Sequence, residues 1–131
     1  MSKRITKITV YSLKGGQGKT SIAVALAKEL DFGIITNDIY SPIETMFPKE
    51  MVLKLQPNEG VPDKKALKDA DIIFDFGGYL DIRVIAAIEM SDYLIIPVME
   101  FDKLNAQGFV STIAEVKKYN KNIIIILNKI N

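Results

Sequence analysis

The stretch that most constrains this chain is Lys14-Gly15-Gly16-Gln17-Gly18-Lys19-Thr20, set between an apolar run from Ile5 to Leu13 and an apolar-periodic run from Ser21 to Leu30. A strand that passes through three glycines straight into a helix predicts a loop whose backbone N–H groups face an anion without Cβ clashes. The helix start adds its unpaired N–H groups and the positive end of its dipole. In a loop of this kind Lys19 reaches the outer phosphates of a nucleotide, and the Thr20 hydroxyl ligates Mg²⁺. The common pattern G-x-x-x-x-G-K-S/T needs glycine where Leu13 stands. The pattern present is K/R-G-G-x-G-K-S/T, with a second lysine, Lys14, at its head. An ordinary glycine turn without a ligand would need the spacing, the second lysine and the strand–helix context to coincide by chance.

This heptapeptide resembles the deviant Walker A motif of the ParA/MinD ATPases, which partition plasmids and chromosomes or position division sites. The resemblance implies ATP and Mg²⁺ as cofactors. Gly15, Gly16, Gln17, Gly18, Lys19, Thr20 and Ser21 would hold the nucleotide. It also implies that Lys14 reaches across a dimer interface to the phosphates bound by the partner subunit.

A chain of 131 residues buries about two-thirds of its surface on folding, enough for one domain with a core. Seventeen basic against sixteen acidic residues leave a net charge of +1, so contact with nucleic acid would need a local patch. Cysteine and histidine are absent, which excludes disulfides, Cys/His zinc, thiolate-ligated iron–sulfur clusters and histidine acid–base chemistry. The N-terminal residues lack a signal-peptide pattern, and no apolar run approaches membrane-spanning length. A soluble cytoplasmic protein is expected.

Strand-like and helix-like patterns alternate, which predicts an α/β fold with a mostly parallel central sheet flanked by helices, here of the P-loop NTPase type. Strands are expected at Ile5–Leu13, Phe32–Thr36, Met51–Leu55, Ile72–Asp75, Tyr93–Val98 and Ile123–Leu127, the third an edge strand on account of Lys54. Helices are expected at Ser21–Leu30, Asp63–Asp69, Ile82–Met90 and Leu104–Tyr119. The first should bury Ile22, Ala23, Ala25, Leu26, Ala27 and Leu30. Between Pro42 and Pro48 at most a short helix fits. No repeat or linker interrupts residues 1–131, which read as a single domain.

Asp75 follows Ile72-Ile73-Phe74, so it is expected at the C-terminal edge of the sheet, where ligands of open α/β sheets collect. Behind a phosphate loop such an acid holds Mg²⁺, usually through a water ligand, and Phe76-Gly77-Gly78 would form a mobile turn sensing the outermost phosphate. In the family this acid is the Walker B aspartate, followed by switch II.

Thr36-Asn37-Asp38 follows the second strand, where the family reads D-x-D-P-Q. One register sets Thr36 at the first acid and Asp38 at the second; the other sets Asp38 first and Tyr40 second. Neither restores the proline and glutamine. By resemblance Asp38 orients the attacking water; the simpler reading is that it caps the segment that follows.

Ser91-Asp92-Tyr93-Leu94-Ile95-Ile96-Pro97 is similar to the family's a-D-x-x-x-x-P, with Asp92 fixing the start of a strand. Asn128 ends the last strand, whose five consecutive apolar residues are expected to be buried; in the family an asparagine there reads the adenine edge, offering both donor and acceptor, and the plain alternative is a strand end.

Absences narrow the branch. Iron–sulfur relatives need cysteines, the MinD type uses a C-terminal membrane helix, and larger ParA proteins carry an N-terminal DNA-binding domain, whereas thirteen residues precede Lys14 and three follow Asn128. The chain therefore looks like a small ParA type that is short at its C-terminus. The leading expectation is a slow ATPase stimulated by a centromere-binding partner. It would dimerise on ATP and bind DNA non-specifically, with Lys14 and Lys19 supplying positive charge and Asp38 orienting water. For DNA only Lys117, Lys118 and Lys121 stand out, and a lysine cluster at a helix end is equally a solvated face favoured by the dipole. Two alternatives stay open: a nucleotide-binding module with little turnover, or a phosphotransferase or ligase of the dethiobiotin-synthetase-like type.

Overall fold

The computed structural model describes residues 4–12, 18–98 and 103–127, with side chains at 103–107 left aside. Its strands are β1 (Lys7–Ser12), β2 (Gly33–Thr36), β3 (Val52–Lys54), β4 (Ile72–Gly77), β5 (Tyr93–Val98) and β6 (Ile123–Leu127). Its α-helices are α1 (Lys19–Leu30), α2 (Ile82–Met90) and α3 (Lys103–Val116), with short 3-10 turns at Ile43–Thr45 and Lys49–Met51. The strands form one six-stranded sheet in the order β3-β2-β4-β1-β5-β6, and every pairing is parallel.

Strand periodicity sorts the side chains onto two faces. Along β4, Ile72, Phe74 and Phe76 enter the cluster that packs with Val84, Ala87 and Ile88 of α2 and Val116 of α3. Ile73 points the other way, into the cluster with Ala23, Val24 and Ala27 of α1. Both faces of the central strands are thus covered, as parallel sheets require, and β4 and β1 carry unbroken buried runs through Phe76 and Ser12. By the same alternation Asp75 shares the face of Ile73 and looks towards α1.

Several expectations need correction. Residues 64–69 form successive turns. Asp63 caps the first by accepting from the Ala66 N–H at 2.7 Å, but a run of about two turns cannot repay helix nucleation without an apolar face, and only Leu67 is buried there. Helix α1 starts two residues earlier than expected and buries Ala23, Val24 and Ala27, while Ala25 and Leu30 are exposed. Strand β4 continues two residues beyond Asp75. The lysine-bearing β3 is an edge strand, as expected. β6 occupies the opposite edge and is not buried, since Ile124, Ile125 and Leu127 are 43%, 51% and 57% exposed.

At the N-terminal ends of the strands Asp92 accepts from the backbone N–H of Thr6 at 2.8 Å and of Lys7 at 3.1 Å. Its own N–H donates to the Lys7 carbonyl at 2.7 Å. It fixes where β5 begins against β1, the structural role its position suggested. Among the described residues no helix is long and apolar enough to cross a membrane.

Candidate functional site

Helix α1 begins after Gly18, whose φ of 77° lies in the left-handed region that a Cβ would disfavour. The chain swings through that residue from the loop into the helix, and the Gly18 carbonyl accepts the first helical bond, from the Ile22 N–H at 3.1 Å. Among the described residues no side chain caps this end, and the first N–H groups of a helix have no partner within the helix itself, the arrangement that suits an anion.

Lys19 and Thr20, the first two helical residues, both turn to Asp75. The Lys19 ammonium donates to one carboxylate oxygen, and the Thr20 hydroxyl donates to the other at 3.1 Å. Asp75 is wholly buried, so its charge is held by a cation and a hydroxyl rather than by water. Gly77 lies beside them. A Cβ there would meet Lys19 Cε and the Ser12 carbonyl oxygen, each at 3.2 Å, so the lysine stem passes over this residue because it is glycine.

The turn after β4 is tied down from two neighbouring strands. The Tyr11 hydroxyl donates to the Gly78 carbonyl, and the Gly78 N–H donates to the Ser12 carbonyl at 3.3 Å. Burial, with the Asp81 charge adding to it, pushes the Tyr11 phenol up to about 12, so it stays a donor at ordinary pH. From the other side, Asn37 Nδ2 donates to the Gly77 carbonyl at 2.8 Å and Asn37 Oδ1 accepts from the Gly77 N–H at 3.1 Å. The turn expected to sense the outermost phosphate is, in this structure, held at Gly77 and Gly78 by these bonds.

Asp38 stands one residue beyond Asn37 and is exposed. Its N–H donates to Thr36 Oγ1, and its carboxylate accepts from the Tyr40 N–H, both at 3.1 Å. That is the capping geometry of the simpler reading. The segment after it is pinned by Lys54, whose ammonium reaches the Ser41 carbonyl at 2.8 Å and the Glu44 carboxylate at 2.8 Å. The hydrogen bond from Lys54 holds the Glu44 carboxyl below its ordinary range.

The structure therefore brings Lys19, Thr20 and Asp75 together, with Gly18 and Ser21 at the same helix end and Asp38 on the adjoining turn. Lys14, Gly15, Gly16, Gln17 and Asn128 lie outside the described residues. Sequence reasoning gave no role to Tyr11 or Asn37 and read Gly77 only as part of a phosphate-sensing turn, because their bonds join residues far apart in the chain; only the glycine two residues after the acid hinted at a close approach. Lys117, Lys118 and Lys121 are all exposed, and Lys118 pairs with Glu115 at 3.3 Å, a solvated helix end.

Chemically, a hydroxyl and a carboxylate converge here as hard oxygen donors beside an ammonium. That set fits Mg²⁺, which needs only one or two protein oxygens and keeps water and phosphate as its other ligands. Among the described residues no group of three or more acidic, cysteine or histidine side chains could hold a metal by itself.

No protein-family model matches the chain, and no curated protein matches it in sequence. Solved structures do match it in fold. Cobyrinic acid a,c-diamide synthase from Mycobacterium smegmatis, with an ATP analogue and magnesium bound, superposes with a TM-score of 0.58 at 15% identity, over 96% of this chain and 75% of that one. The same enzyme with ADP and magnesium gives 0.58 at 13% identity, over 96% and 74%. The MinD cell division protein of Aquifex aeolicus gives 0.55 at 18% identity, over 95% and 70%. At these identities the shared property is the fold alone, a parallel α/β sheet flanked by helices.

Proposed function

We propose that this chain binds ATP with Mg²⁺ and hydrolyses it slowly, as a ParA-like switch that dimerises on ATP. The observation that carries the reading is the meeting of Lys19 and Thr20, at an uncapped helix start, with the buried Asp75. In this reading the N–H groups of Gly15 to Ser21 cradle the phosphates, Lys19 neutralises their outer oxygens, and Asn128 reads the adenine edge. Thr20 and Asp75 hold Mg²⁺, which supplies charge neutralisation on the phosphates. Lys14 contributes its charge to the nucleotide of the partner subunit, and Asp38 orients the attacking water. Such chemistry needs positioning and electrostatic stabilisation, with no covalent intermediate.

Exposed apolar surface beside the site is consistent with a second subunit docking there. Tyr40, Tyr79 and Ile82 are 88%, 87% and 84% exposed, and they follow Asp38, Gly78 and the α2 cap. A centromere-binding partner that stimulates turnover belongs to the same reading; DNA contact does not, since the lysines at the end of α3 form no built site.

One observation favours a second reading, a nucleotide-binding module with little turnover. Asp38 is exposed and its carboxylate is engaged with the Tyr40 N–H. A ligase-type use of ATP is a third reading, motivated by the synthase among the structures of the same fold.

Mass in solution separates them, measured by light scattering without nucleotide and with a slowly hydrolysed ATP analogue plus Mg²⁺. The switch predicts that the analogue doubles the mass and that Lys14→Ala binds it yet stays monomeric. A wild type that binds the analogue and remains monomeric sinks the switch and leaves the binding module.

A further inference from the structure

We propose that Asn37 is a positioning residue that locks the turn after β2 to the turn after β4, so that both respond together to nucleotide. The proposal rests on the nucleotide-binding reading above. β2 and β4 are neighbours in parallel register, with Thr36 opposite Asp75. Beyond that pair β2 ends, while β4 runs on to Gly77. Where the backbone ladder stops, the Asn37 side chain replaces it, donating to the Gly77 carbonyl at 2.8 Å and accepting from the Gly77 N–H at 3.1 Å.

Only an amide fits this pair of contacts. It presents one donor and one acceptor side by side, complementary to both groups of a single peptide residue. Aspartate has the same shape but no donor, and would set a carboxylate against the Gly77 carbonyl. The residue it holds is the one over which Lys19 passes, with Lys19 Cε at 3.2 Å from where a Cβ would stand. On its other side Asn37 is bonded through the chain to Asp38, whose turn is closed by Thr36 and Tyr40. The path from Lys19 to Asp38 is therefore short: lysine stem, Gly77, Asn37 amide, Asp38 turn.

Hydrogen exchange read by mass spectrometry tests this on wild type, Asn37→Ala and the isosteric Asn37→Asp, free and with the slowly hydrolysed ATP analogue plus Mg²⁺. Without nucleotide, both variants should exchange roughly threefold to tenfold faster in segments 37–41 and 76–80, the effect of losing one or two hydrogen bonds. With nucleotide, wild type should gain protection in both segments. The variants should gain it at 76–80 and not at 37–41, with analogue affinity within about threefold of wild type. Where turnover is measurable, kcat should fall about tenfold or more with KM little changed, the signature of lost positioning rather than lost binding.

Variants that exchange and respond like wild type overturn the proposal, as does a loss of affinity beyond about tenfold, which would make Asn37 part of binding itself. If wild type binds no nucleotide, the proposed function falls on its own. Faster nucleotide-free exchange in both segments then still supports the lock, and unchanged exchange overturns it.

Discussion

The Lys19 ammonium lies on the Asp75 carboxylate, and Asp75 has no solvent exposure while Lys19 keeps only 13% of its side chain in water. An ion pair so enclosed contributes little net stability while both partners are present, yet removing one strands the other. Lys19→Ala should therefore cost roughly 3 kcal/mol in urea denaturation. Lys19→Ala with Asp75→Ala should cost less than the sum of the single changes. Additivity within about 0.5 kcal/mol would show that the two charges are not coupled.

Gly77→Ala tests the close passage of the lysine. Its new methyl would meet a flexible side chain on one side and the Ser12 backbone carbonyl on the other, and the backbone cannot give way. A stability loss of about 1–2 kcal/mol is expected from overpacking. Affinity for the ATP analogue should weaken about tenfold as Lys19 is displaced, measured by calorimetric titration.

Tyr11 predicts an alkaline limit. Its pKa rises on folding from 10.0 to about 12, so the folded state holds the proton more tightly. That stabilisation is complete below pH 10 and is lost as pH rises from about 10 to about 12, where the unfolded chain is already deprotonated. The loss amounts to at most about 3 kcal/mol. Tyr11→Phe, compared with wild type by denaturation across this range, should remove that component of the pH dependence. Parallel curves would contradict it.

Asp92→Ala addresses the far end of the sheet. It removes an acceptor shared by the Thr6 and Lys7 N–H groups and should cost about 1–3 kcal/mol. Nucleotide affinity should stay within about twofold, because the change lies at the strand ends remote from Lys19 and Asp75. A large loss of affinity would mean that the β1–β5 register reaches the phosphate loop.

Much of the fold was legible because apolar runs and glycine turns are local signals. Ile82–Met90, Tyr93–Val98 and Ile123–Leu127 occur with the bounds their patterns suggest. The expected helix at Asp63–Asp69 failed because its local cap and spacing lacked an apolar face to pack. The expected burial of the last strand failed for another reason: five apolar residues specify a strand, but which edge it takes depends on the strands already paired. At the site, Lys14 to Gln17 lie outside the described residues, while the approach of Lys19 and Thr20 to the acid after Ile72-Ile73-Phe74 was readable. The Asn37 lock was not, since an asparagine after a strand is commonplace.

The sequence by itself determined the strand–glycine–helix unit, the alternation of α and β elements, and the identity of the ammonium, hydroxyl and carboxylate that could serve a nucleotide. These follow from spacing along the chain, where hydrogen-bonding and steric rules act over a few residues. Tertiary structure decided that Asp75 faces α1 rather than α2, that Gly77 passes under Lys19, and that Asn37 bonds to Gly77. Each depends on which strands become neighbours and in what register, and a shift of one residue would send Asp75 to the other face of the sheet.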